Sequence, residues 1–113
     1  MIVGKWSVEV ISKTYGPTPL IYVFHGFTTV FSNVMPPSHM GGLAEFMTAC
    51  ETLKTSHSQY NKNYYRKLNQ YHSVSVKKKG LVFKTYDVDS PKEFRMSREE
   101  ALTIFHYIME NEN

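Results

Sequence analysis

Five histidines, one cysteine and a long run of cations without acids are the chemically able parts of this 113-residue chain. His25, His39, His57, His72 and His106 offer imidazole nitrogens, but they lie on different predicted elements. None stands in a metal-ligand pattern with another His, Cys or acid. His57 and His72 fall on the apolar side of a predicted helix, so packed or boundary histidines are the plainer reading. Cys50 falls in the middle of the same apolar stripe. It reads as a small buried hydrophobe rather than half of a Cys–His dyad. No paired carboxylates take an acid/base arrangement, and no glycine loop has phosphate-cradling spacing. Gly41-Gly42 ahead of a helix offers amides to an anion, although a flexible hinge is the plainer reading. Neither a metal, nor a cofactor, nor an enzymatic activity is expected.

The charge pattern is the stronger signal. The stretch Lys54 to Lys84 holds Lys54, Lys62, Arg66, Lys67, Lys77, Lys78, Lys79 and Lys84 and no Asp or Glu. Those eight are drawn from thirteen Lys and Arg in the chain, while all ten acids lie elsewhere. A formal charge of only +3 therefore conceals a strongly basic segment. Threaded through it are Tyr60, Tyr64, Tyr65, Tyr71 and Phe83. Lys and Arg supply salt-dependent attraction to phosphates, and aromatic rings supply stacking faces for unpaired bases. A solvated helix face would account for the cations and a core for the tyrosines. It would not account for the complete absence of acids, because solvated faces mix signs.

Two resemblances bear on this. His25-Gly26 after an apolar strand is similar to the oxyanion-loop His-Gly of serine hydrolases, but the Gly-x-Ser-x-Gly elbow is missing. Lys79-Gly80-Leu81-Val82-Phe83-Lys84-Thr85-Tyr86 partly resembles the longer signature strand of RNA recognition motifs, and Ile21-Tyr22-Val23 is similar to the start of the shorter one. That resemblance implies Tyr22 and Phe83 as base-stacking residues on an open sheet. The chain departs from the family at Leu81, in strand order and in the length of the helix between the signatures.

The elements that must position these residues follow from periodicity. Residues 5–12 alternate, with Trp6, Val8 and Val10 on one face, and predict a half-buried strand. The segment 15–19 is a turn. Leu20 to Phe24, extending toward Phe31, is apolar on both faces and predicts a central strand. Apolar residues from Leu43 to Tyr71 recur at helical spacing, predicting one long helix or two nearly collinear ones broken near Thr55-Ser56. At 1.5 Å per residue such a helix would be about 43 Å long. Ser73 to Val76 and Leu81 to Val88 predict strands joined by a Lys77–Gly80 turn. Ser97-Arg98-Glu99-Glu100 is a capping box opening a helix over 98–110.

The expected fold is α+β, a single domain over 1–113. It is a four-stranded antiparallel sheet in β-β-α-β-β-α order, with one long and one shorter helix packed on one face. The N-terminal residues have no signal-peptide pattern and no segment suits a bilayer, so a cytoplasmic protein is expected. A lone cysteine fits a reducing compartment. The expected function is a small non-enzymatic binding or inhibitor module, of the kind phages and mobile elements carry, facing nucleic-acid-handling machinery. Lys62, Arg66, Lys67, Lys77, Lys78 and Lys79 are its expected contacts with an acidic protein or nucleic acid. Direct binding of single-stranded nucleic acid by Tyr22 and Phe83 is the alternative. A small-molecule or nucleotide binder using the loop Met35 to Gly42 is a further one. Self-association to a dimer through an overhanging helix is also open.

Overall fold

The computed structural model describes residues 1–11, 19–34, 41–55, 64–86 and 92–111. Four strands open the chain: β1 (Ile2–Val3), β2 (Trp6–Ile11), β3 (Leu20–His25) and β4 (Thr28–Ser32). Helix α1 (Leu43–Thr55) follows, then β5 (Tyr65–Lys67), β6 (His72–Lys77), β7 (Gly80–Thr85), β8 (Glu93–Ser97) and α2 (Arg98–Asn111). Each set of four strands is its own antiparallel meander, β1-β2-β3-β4 and β5-β6-β7-β8. The mixed α+β class is as expected, but the single sheet is corrected to two.

Alternation drives this arrangement, since residues two apart on a strand share a face. In β2, Trp6 and Val8 turn inward; in β3, Ile21 and Val23; in β6, Val74 and Val76; in β7, Leu81 and Phe83. The central position expected for the Leu20 strand holds, because β3 lies between β2 and β4. The apolar run toward Phe31 is not one strand, however. Gly26, at φ 61° in the left-handed region, turns it back with Phe27 as a tight hairpin. A bulge opposite Val23/Phe24 then lets Val30 and Phe31 both reach the core.

The inner faces of both sheets and both helices close on one apolar core. Trp6 meets Phe83 with ring centroids 5.0 Å apart, and Phe31 stacks on Phe46 at 4.6 Å. The Trp6 indole N–H also donates to the Arg95 carbonyl at 3.1 Å, tying the first sheet to β8. Helix α1 packs on β6, and α2 packs on β7, β8 and β1. The capping box is present: the Glu100 amide donates to Ser97 Oγ at 3.0 Å, and the Ser97 amide donates to Glu100 Oε1 at 2.8 Å.

The long helix is the largest correction. Helix α1 ends at Thr55, and Tyr65–Lys67 is a strand paired with β6. The local cause is Asn69. Its Oδ1 accepts from the amides of Tyr71 and His72, both at 3.0 Å, which bends the chain. Its Nδ2 donates to the carbonyls of Val30 at 2.9 Å and Gly41 at 2.7 Å. One side chain thus joins the edge of the first sheet, the approach to α1 and the β5–β6 turn. Gly42, at φ 122°, lies so close to Leu68 that a Cβ would not fit. The expected turn at 15–19, the helix break after Thr55 and the loop from 35 to 40 lie outside the described residues.

Truncating Phe83 to Ala is expected to cost about 3–5 kcal/mol of unfolding free energy, as loss of a fully buried aromatic does. Denaturant titration followed by Trp6 fluorescence measures it. A loss below about 1 kcal/mol would contradict the core placement.

Candidate functional site

The solvent face of the second sheet is where charge and hydroxyls gather. Pairing across β5, β6, β7 and β8 sets Lys67, Ser73, Lys84 and Glu93 in one row. Tyr65, Ser75, Val82 and Arg95 form the next, and Lys77, Gly80 and Ser97 a third. A groove of about 500 Å³ runs over this face, lined by Lys77, Lys78, Lys79, Lys84 and Arg95 above Ser75 and Val82, with Glu93 at its side. The two-residue turn Lys78-Lys79 places three consecutive lysines at one end. Its register is held by Gly80, whose missing side chain lets the backbone approach the Met96 carbonyl and the Arg98 amide. The Arg98 amide donates to the Lys79 carbonyl at 2.9 Å.

Among the described residues, neutralisation of this face is slight. Glu93 reaches Arg95 at 3.4 Å in an exposed pair, a contact worth little in water. Glu100, at the margin of the adjoining hollow, is engaged by the Ser97 amide. Near the other end, Tyr86 Oη lies 2.7 Å from Tyr65 Oη and 3.0 Å from Ser73 Oγ. Ser73 is 1% exposed, whereas Tyr65 and Tyr86 are about half exposed at 46% and 47%. Hydrogen bonds from Ser73 and then Tyr65, followed by the charges of Lys84 and Lys67, hold the Tyr86 phenol below the ordinary tyrosine range. The bond to Tyr86 raises Tyr65 in turn. The pair therefore gives up a first proton readily and resists losing a second.

Of the expected contact residues, Lys77, Lys78 and Lys79 line the groove, and Lys67 stands on the same face by register. Arg66 does not join them. Its guanidinium lies over the Tyr64 ring, 4.9 Å from the centroid, and donates to the Tyr65 carbonyl at 2.9 Å. Strand alternation puts it on the opposite face from Lys67, where a helix would have kept the two together. Lys54 also stands apart, its ammonium 5.2 Å from the Phe105 centroid. Lys62 lies outside the described residues. Arg95, Ser73, Tyr65 and Tyr86 were missed as site residues. The alternation of the strands flanking Lys77–Gly80 already set Ser73 and Ser75 on a common side with Val82, Lys84 and Tyr86. Arg95 had no signal, because its strand was not read.

The stacking pair is corrected. Phe83 is fully buried among Trp6, Phe31 and Phe46 and offers no ring to a ligand. Tyr22 lies on the other sheet, beside Phe24 at 6.4 Å, and shares no surface with the buried Phe83. Cys50 is buried, and its Sγ donates to the Ala101 carbonyl at 3.8 Å. Burial first, and the Glu51 carboxylate second, push its thiol far above the usual range. His25 stacks on Phe94 at 4.5 Å; burial and then Lys5 lower its pKa against an opposing pull from Glu100. His39 and His57 lie outside the described residues. Among the described residues, no three His, Cys, Asp or Glu converge as a metal site, and no helix is long and apolar enough to cross a membrane.

No protein-family model, curated protein or solved structure matches the chain.

A phenol titration followed by ultraviolet absorbance is expected to show one tyrosine ionising below the ordinary range. Replacing Tyr65 with Phe removes a donor to the Tyr86 phenolate and moves that ionisation upward; Lys84→Ala does so less. An early ionisation that survives both Tyr65→Phe and Ser73→Ala would contradict the hydroxyl geometry.

Proposed function

We propose that this chain is a non-enzymatic binding module, of inhibitor or accessory type, that docks the solvent face of its second sheet onto an acidic macromolecular partner such as nucleic-acid-handling machinery. One observation carries the reading: Lys67, Lys77, Lys78, Lys79, Lys84 and Arg95 share that face, and among the described residues Glu93 is the one acid that lines the groove. Like charges held side by side repel and lower stability. Their retention on one pleated surface is accounted for by an opposing negative surface that relieves them. Cations on a rigid sheet also steer encounter, so the electrostatic contribution goes mainly into association rate.

The test compares two reversals of equal charge. Lys77→Glu with Lys78→Glu and Lys79→Glu changes the groove. Lys5→Glu with Lys54→Glu and Arg66→Glu changes cations placed elsewhere. On immobilised heparin, the groove variant is expected to elute at much lower salt than the wild type, and the second variant close to it. Equal loss in both variants would show that net charge alone is responsible and would remove the site from the proposal.

A further inference from the structure

The hydroxyl cluster at the end of the groove has a proton left over. Ser73, Tyr86 and Tyr65 carry three hydroxyl protons, and the two contacts of 3.0 and 2.7 Å consume two. Ser73 is buried, so its proton has little access to a ligand, whereas Tyr65 is half exposed. When Ser73 donates to Tyr86 and Tyr86 donates to Tyr65, the spare proton projects from Tyr65 into solvent. That arrangement makes a polarised donor chain whose exposed end seeks an acceptor. Lys67 and Lys84 stand on either side of Ser73 in the same cross-strand row, roughly 10 Å apart at two strand spacings. The influence of both on the Tyr86 phenol shows that their charges converge there. An anionic oxygen fits this combination: an exposed hydroxyl donor bonded to a phenol on which two ammonium charges act.

We infer that Ser73, Tyr86, Tyr65, Lys67 and Lys84 form a phosphodiester-binding subsite, and that the partner is single-stranded nucleic acid lying along the groove. This deepens the docking reading and rests on it. Ser73 to Lys77 spans about 13 Å at 3.3 Å per residue. The cations thus extend well beyond one phosphate, as a repeating polyanion requires. Val82 supplies an apolar floor between the two basic ends, and the Tyr65 and Tyr86 rings stand exposed beside the first. Unpaired bases need such apolar and aromatic surfaces; a carboxylate-rich peptide does not. Chain direction follows: the backbone runs along the strands from the hydroxyl cluster toward Lys77–Lys79, and the bases face Val82.

Fluorescence polarisation with a short labelled oligothymidylate tests this. Tyr86→Phe breaks the donor chain without changing charge and is expected to weaken binding on the order of tenfold, as loss of a hydrogen bond to a charged group does. Its salt dependence should stay that of the wild type, whereas Lys84→Ala should lower the slope against salt by about one. Tyr65→Phe, at an exposed position, repeats the test if Tyr86→Phe perturbs folding. Saturating oligothymidylate should also shift the early phenol ionisation upward, because a bound phosphate disfavours a phenolate beside it. Absence of oligonucleotide binding at low salt, with groove-dependent heparin retention intact, overturns this inference and leaves the docking reading standing. Preference for a phosphorylated acidic peptide of equal charge, or wild-type affinity in both phenol variants, overturns it as well. Heparin retention insensitive to the groove reversal removes both.

Discussion

The pleat of β7 is the constraint on which both the core and the basic face depend. Leu81 and Phe83 point inward, and Val82 and Lys84 point outward, because successive side chains on a strand leave opposite faces. A slip of one residue would drive Lys84 into the place of Phe83, next to Trp6 and Phe31, and expel the aromatic ring. Burying an unpaired ammonium there costs several kcal/mol, so the register admits no alternative. Gly80 reinforces it at the strand's start, since any side chain would strike the backbone of β8 and the first residue of α2. The same physics that centres Phe83 in the core thus presents Lys84 to solvent.

Asn69 plays the corresponding part between the halves of the chain. Its amide reaches the β4 edge and the residues before α1, while its carbonyl oxygen turns the backbone into β6. An edge strand with unpaired carbonyls is a liability, and here a side-chain donor occupies one of them. The hydrogen bonds made by this one side chain, with the His72 ring included, outweigh the local helical preference of the residues around it. This explains why the helical spacing of Tyr64, Leu68 and Tyr71 misleads. Their spacing of four and three positions them equally well on a strand edge and a bend, once a long-range partner dictates the path.

Much of the second half was legible. The strand over 73–76, the start of the strand expected over 81–88, which ends as β7 at Thr85, the lysine turn between them and the Ser97–Glu100 capping box each follow from local chemistry and appear in place. The two-sheet architecture was not legible, because β1 and β5 are only two and three residues long and carry little periodicity. The sequence located the basic segment but not its geometry. Arg66 and Lys67 are neighbours on a helix surface and opposites on a strand, and only pairing with β6 decides between these. Phe83 is offered for stacking only by the resemblance to the RNA recognition motif signature; which side of its strand meets Trp6 decides that it is core.

The two halves share one plan, a four-stranded meander followed by a helix, and their inner faces meet the same requirement for apolar surface. Their outer faces do not. The first sheet turns Ile2, Ile11 and Leu20 outward at exposures of 80%, 44% and 40%, together with Tyr22 and Phe24. The second turns out lysines, serines and phenols. Core packing demands neither composition, since an outward side chain on a strand contributes little to the core it does not touch. Cross-strand pairing favours opposite charges side by side; Lys84 has Glu93 opposite it, but Lys67 has only Ser73. The basic character of the second face is therefore not a consequence of folding. It is a cost in self-repulsion that the fold tolerates.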